Sequence, residues 1–255
     1  MANVVKNYSF LLSELVKKGI RLKYRRSYLG ILWSLIEPIL STIILVIVFG
    51  TLFKNDNPTY PMYILIGRLF FTFFTNGTCG CCRSIRDHAG MLTKVYVPKL
   101  LYPLSNVLYN FIIFAISLIV MVGVDIFCKI IPSWSFFMFI PALVILLLLT
   151  FGVGLFLATL NIFFRDIEYL WNVLLTIIMY MSAIFYYPDM ILQSRWAFVL
   201  KLNPLYQVID MARSAVMNLP FNYMGILYSF VFGIVMTIIS LLFYNSQKEK
   251  FILHL

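Results

Sequence analysis

Charge is what this sequence has least of. Only 12% of its 255 residues are charged, against 62% that are hydrophobic, whereas a soluble domain carries roughly 25% charged and 45–50% apolar residues. An excess of that size overfills any soluble core, so the chain reads as an integral membrane protein. Histidine is almost missing as well. His88 and His254 are the two present, they fall in different polar segments, and no paired intramembrane carboxylates accompany them. Asp189 and Asp210 share one polar stretch but fit solvated loop positions better than an acid–base pair. The sequence therefore offers no enzymatic machinery. No G-x-x-x-x-G-K-[ST] phosphate loop occurs in these residues, so the chain does not cradle ATP by that route. An internal repeat, a soluble domain and a cleavable N-terminal signal are also missing from the pattern.

Cysteine is scarce too, and three of the four cluster as Cys79, Cys81 and Cys82. A metal site would need a fourth ligand, and positions i, i+2 and i+3 do not share a helical face. They read as small packing thiols, with no metal and no cofactor held by this chain.

What is present is a series of long apolar runs separated by short basic stretches. The net charge of +10 could point to nucleic acid. The positives, however, lie between apolar blocks as membrane topology requires, and that partner is set aside. Residues 23–38, KYRRSYLGILWSLIEP, organise the chain. Lys23, Arg25 and Arg26 suit a water-and-phosphate layer, Tyr24 and Tyr28 an interface, and the run from Ile31 onward hydrocarbon. Before them, residues 4–23 alternate Phe10, Leu11, Leu15 and Ile20 with Lys6, Glu14, Lys17 and Lys18. That pattern predicts an interfacial amphipathic helix, too polar to span.

The expected fold is all-α and integral to the membrane. Residues 1–29 form the interfacial helix and residues 30–255 a six-span domain. The spans are expected at 30–53, 60–82, 101–127, 134–160, 169–185 and 223–244. Between the second and third, residues 83–99 form a short cytoplasmic helix. Before the last, residues 188–220 form an extracytoplasmic helical hairpin, with helices over 190–200 and 204–217. With both termini in the cytoplasm, fourteen Lys and Arg fall inside and five outside, while Arg68 lies within the second span. That asymmetry sets the orientation.

Several junctions resemble one family, the type-2 ABC transporter permeases that export polysaccharides and teichoic-acid-like polymers. Lys23-Tyr-Arg-Arg-Ser-Tyr-Leu-Gly-Ile-Leu-Trp33 followed by Pro38 is similar to that family's entrance signature. Arg165-Asp166-Ile167 is similar to its second motif, and Asn203-Pro204-Leu205 with Arg213 to its third. Gly67-Arg68-Leu69-Phe70 departs from the apolar or Pro-Trp-like step expected there. The resemblance implies a half-transporter: a homodimer in the bacterial cytoplasmic (inner) membrane, surrounded by membrane lipids and driven by two separate P-loop ATPase subunits that hold the ATP and Mg. Its substrate would be a lipid-linked glycan, such as an O-antigen, a capsular or cell-wall glycan, or teichoic acid.

Candidate residues then sort by place. Arg25, Arg26, Tyr28 and Gly30 would meet the substrate headgroup, since guanidinium forks suit phosphate oxygens; anchoring to anionic lipid fits the two arginines equally well. Trp33, Glu37, Phe70, Phe74, Trp171 and Tyr180 would line the translocation path, aromatic faces letting a sugar polymer slide. Interface belts and lipid-facing packing account for any single aromatic. Glu37 would pair with Arg68 or stand by the entrance. Arg86, Asp87, His88, Met91 and Lys94 would couple to the ATPase, and Asn203, Pro204 and Arg213 would belong to an outer gate. Arg165 and Asp166 are expected to pair with each other. Two rivals remain: a type-2 permease for small hydrophobic compounds, and a gradient-driven secondary transporter, which would show internal repeats and charged relays.

Overall fold

The computed structural model describes residues 2–25, 27–54, 57–92, 97–130 and 133–251. Among these every regular element is helical. Helix α1 (Ala2–Tyr24) leads through a 3-10 turn, Gly30–Leu32, into α2 (Trp33–Phe53). Then come α3 (Tyr60–Asp87), α4 (Ala89–Leu92), α5 (Leu101–Phe127), α6 (Phe139–Phe163) and α7 (Ile167–Tyr180). Two short helices, α8 (Asp189–Leu192) and α9 (Ala197–Leu202), precede α10 (Pro204–Met217) and α11 (Tyr223–Gln247). Among the described residues, four segments are long and apolar enough to cross a membrane: 30–53, 101–127, 134–163 and 223–247.

α3 is the central helix. Met62, Ile66, Phe70, Phe73 and Cys81 are all buried along it, packed against α5 on one side and α6 on the other. It runs past the expected end at Cys82 to Asp87, because Ser84 and Ile85 are still buried and hold the last turns in the bundle. Its 28 residues make a rod of about 42 Å at 1.5 Å per residue. The cysteines pack: the Cys81 thiol faces the Pro103 carbonyl at 3.3 Å and the Cys79 thiol the Asn172 amide oxygen at 3.6 Å.

Proline inside α2 is accommodated by a neighbour. Pro38 has no N–H to give the Ser34 carbonyl one turn back, and the Ser117 hydroxyl on α5 donates to that carbonyl instead, at 2.9 Å. Satisfying backbone groups from an adjacent helix is how apolar surroundings tolerate proline. The opposite flank of α2, including Ile39, Ile43 and Ile47, is exposed.

α6 and α11 meet at small residues. A Cβ on Gly152 would lie 2.9 Å from the Thr237 backbone nitrogen, and the Ser240 hydroxyl donates to the Gly152 carbonyl at 2.6 Å. Close backbone approach of this kind holds helices together where no hydrophobic effect drives them. Gly152→Val is expected to force the pair apart and lower stability by about 1–3 kcal/mol, read as a drop in the melting temperature of the detergent-purified protein. An unchanged melt would mean that the contact carries little.

Three expectations are corrected. The fifth span, expected over 169–185, is helical only over Ile167–Tyr180. Fourteen residues reach about 21 Å, short of a hydrocarbon layer of about 30 Å. The chain then leaves the helix, with Ala183 at φ +46°, and residues 182–185 are buried as irregular backbone. Second, of the outer hairpin only the helix over 204–217 forms as expected. The hairpin's first half breaks into α8 and α9, and α10 is buried along nearly its whole length, from Leu205 to Ile209 and Met211 to Val216, against α3, α6 and α11. Third, residues 83–92 are not one separate helix. Arg86 and Asp87 close α3, His88 caps it, and α4 is a distinct four-residue turn. Lys94 lies outside the described residues.

Candidate functional site

The C-terminal ends of α3, α6 and α11 gather with α1 and the start of α5 at one end of the bundle, called here the basic end. There Glu168 receives two cations, Arg86 at 2.9 Å and Arg83 at 3.5 Å. Sequence reasoning missed Glu168 because its partners lie some eighty positions earlier. Arg165 and Asp166, expected to pair, are exposed, and among the described residues no ion pair joins them. His88 does not face outward as a docking residue would. Its ring lies over Tyr102 at 4.6 Å, and Nδ1 faces the Ser84 carbonyl at 2.8 Å. A carbonyl only accepts, so Nδ1 carries the proton. Asp87 is exposed beside it. Met91 is described only as backbone, in α4.

At the membrane-entering junction, Arg25 and Tyr28 are exposed, and Gly30 adopts φ +49°, the left-handed region that favours glycine. The Gly30 N–H donates to the Ser27 hydroxyl at 3.1 Å, which closes the turn. Arg26 lies outside the described residues. Behind the junction, α1, α2, α3 and α5 surround a cleft of about 220 Å³. Trp33 and Glu37 line it with Lys23, Arg68, Asn76 and Asn110. Crowding by the surrounding helices lowers the Lys23 ammonium pKa from its ordinary value, and Glu37 partly opposes that, although the side chain still reaches open space. Glu37 and Arg68 share the cleft, but among the described residues they form no ion pair.

Of the other expected path residues, two come together. Phe74 and Trp171 sit with ring centres 6.2 Å apart, and the Trp171 indole donates to the Thr78 hydroxyl at 3.0 Å. They line an apolar groove of about 600 Å³ between α7 and the α6–α11 pair. Tyr180 is exposed at the end of α7. Phe70 is corrected: it is wholly buried, its ring edge-on to Phe114 at 5.4 Å and Phe139 at 5.7 Å. A side chain sealed on all sides touches no substrate, so Phe70 packs the core.

At the far end the expected gate residues join neighbouring segments. Asn203 caps α10, its amide oxygen accepting from the Leu205 and Tyr206 N–H groups, and Pro204 takes the first helical position. Arg213 is 1% exposed. Its guanidinium lies over the Tyr63 ring at 3.5 Å and donates to the Tyr63 carbonyl at 3.2 Å and the Ile184 carbonyl at 3.4 Å.

Residues 11–217 match the family described as "ABC-2 type transporter". The chain belongs to that family. Among curated ABC-2 relatives, an O-antigen export system permease protein RfbA of Klebsiella pneumoniae is 29% identical over 242 residues, covering 94% of this chain and 93% of that protein. RfbA of Myxococcus xanthus is 29% identical over 203 residues, 79% of this chain and 78% of that one. The polysialic acid transport protein KpsM of Escherichia coli is 23% identical over 241 residues, 91% of each. All three motifs on which the ABC-2 resemblance was read lie inside the matched residues.

Proposed function

We propose that this chain is the membrane permease subunit of an ATP-driven exporter that moves a lipid-linked polysaccharide across the bacterial cytoplasmic membrane. The observation that carries the reading is its end-to-end likeness to permeases named for O-antigen export. The chain contains no phosphate loop of its own, so ATP and Mg belong to a partner, two P-loop subunits on a homodimer of this chain. α2, α3, α5, α6, α7 and α11 are the six crossings. α7 is completed by the buried residues 182–185, and both termini face the cytoplasm at the basic end. The ATPase docks at that end, on the surface made by Asp87, α4 and the Arg83–Glu168–Arg86 cluster, and Met91 and Lys94 are assigned to the same coupling role. That cluster ties α3 to α7, so a push there moves α7, and through α7 the α8–α10 gate. Arg25, Arg26 and Tyr28 meet the lipid headgroup, and Trp171 and Phe74 meet the moving chain.

The test is a pull-down of the tagged, detergent-solubilised protein from native membranes, with partners identified by mass. A P-loop ATPase at one-to-one is the expected result. A clean homo-oligomer without ATPase across several mild detergents would overturn the reading in favour of gradient-driven transport.

A further inference from the structure

Arg68 is the residue that neither the family resemblance nor the packing explains. It lies eight residues into α3 from Tyr60, about 12 Å along the helix, which falls within the hydrocarbon layer on the reading of α3 as a crossing. It is half-buried. Among the described residues the ion pairs are Lys17–Glu14, Arg83–Glu168 and Arg86–Glu168, so Arg68, Lys23 and Glu37 all face one cleft without a direct ionic partner. An uncompensated guanidinium at membrane depth is costly and points to a ligand or a wet cavity.

The cleft is not isolated. A second cavity of about 480 Å³ opens between α1, α3 and α5 toward the basic end, lined by Lys18, Arg83 and His88. The two share Lys23, Asn76 and Asn110, so one polar crevice runs from the basic end to Arg68. Lys18, Lys23 and Arg68 stand along it against the single carboxylate of Glu37, and the exposed amide of Asn76 offers a neutral donor. Such a set, rich in donors and net positive, fits phosphate oxygens. α2 walls the crevice on one side and presents Ile39, Ile43 and Ile47 on its open flank, an apolar surface for acyl or prenyl chains.

We propose that this crevice binds the phosphate headgroup of a membrane lipid, held between Lys23 at its mouth and Arg68 at its inner end. Two sources carry that chemistry, an anionic phospholipid of the bilayer and the diphosphate of a polyprenyl-linked substrate. Only the second rests on the exporter reading above.

The test is native mass spectrometry of the full-length protein in detergent, titrated with phosphatidylglycerol, with a polyprenyl diphosphate and with diacylglycerol, which has no phosphate. The wild-type protein is expected to hold both phosphate lipids and not diacylglycerol. Arg68→Gln is expected to weaken phosphate-lipid binding by about tenfold or more, as removal of a charged donor does, and Arg68→Lys to fall between. Parallel loss for both lipids supports a site that reads the shared phosphate, and loss confined to phosphatidylglycerol assigns it to bilayer phospholipid. Loss confined to the diphosphate supports it and assigns it to the substrate anchor. Unchanged binding of both in Arg68→Gln and in Lys23→Gln overturns it. Lys23 is exposed, so its variant keeps the test alive if Arg68→Gln does not fold. These readouts need neither ATPase nor polymer, and their failure leaves the exporter reading to its own pull-down.

Discussion

Arg213→Ala is expected to loosen the far end of the bundle and to cost on the order of 3 kcal/mol. The chain between α7 and α8 is irregular yet buried, so its carbonyls need donors from elsewhere. Side chains supply them. The Tyr60 hydroxyl donates to the Phe185 carbonyl at 2.6 Å, the Tyr63 hydroxyl is shared between the carbonyls of Ala183 and Tyr186 at 2.9 Å each, and Arg213 takes that of Ile184. Arg213 also fixes Tyr63 by lying on its ring, and Gly67 leaves room for the guanidinium because any Cβ there would strike it. Truncation therefore strands one carbonyl, frees the tyrosine that serves two others and leaves a cavity. One term opposes this: the guanidinium is buried with its Nη1 unpartnered, so its removal also relieves a desolvated charge. Arg213→Met separates the two. If the polar lock dominates, methionine restores volume but not stability. The melting temperature in detergent and hydrogen exchange at residues 183–186 report the outcome, and a methionine variant as stable as the wild type would sink the argument.

How much of this was legible depends on where each residue's partners lie. The spans at 30–53 and 101–127 match the helices because an unbroken apolar run between polar turns specifies both ends locally. The stop of α7 at Tyr180 was not readable, since the run to Phe185 contains no proline, glycine or charge. The helix ends because Asn203, Tyr60 and Tyr63 claim the carbonyls that follow. α10 matches the expected helix over 204–217, but the depth of its burial was not readable for a related reason. Gln207, Asp210 and Arg213 look like surface residues, yet the Arg213 acceptor on Tyr63 lies 150 positions earlier. Among candidate residues, the turn at Gly30 and the cleft positions Trp33 and Glu37 followed from the change of polarity along the chain. Phe70 and His88 did not, because an aromatic or a histidine carries no mark in sequence of whether it faces core or surface.

Asn203 is the second residue whose loss should be felt far from its position. All of its side-chain hydrogen-bonding capacity is in use. Oδ1 accepts from the N–H groups of Leu205 at 3.0 Å and Tyr206 at 3.3 Å, while Nδ2 donates to the Met181 carbonyl and the Ser182 hydroxyl, both at 3.0 Å. One half caps α10, and the other joins that cap to the end of α7. Asn203→Ala removes both and is expected to cost about 2 kcal/mol, a cap together with cross-links to a neighbouring segment. Asn203→Asp distinguishes them. Aspartate caps a helix as well as asparagine does, but it has no N–H for Met181 and brings a carboxylate against that carbonyl. If capping were the whole role, the aspartate variant would melt with the wild type. The joint predicts that it melts no higher than the alanine variant. It further predicts, on the exporter reading, that ATPase copurification persists while ATP hydrolysis no longer drives export, because the basic end is untouched and the α7–α10 connection is cut. An aspartate variant with full stability and full export would leave Asn203 a local cap and return the gate's control to Arg213.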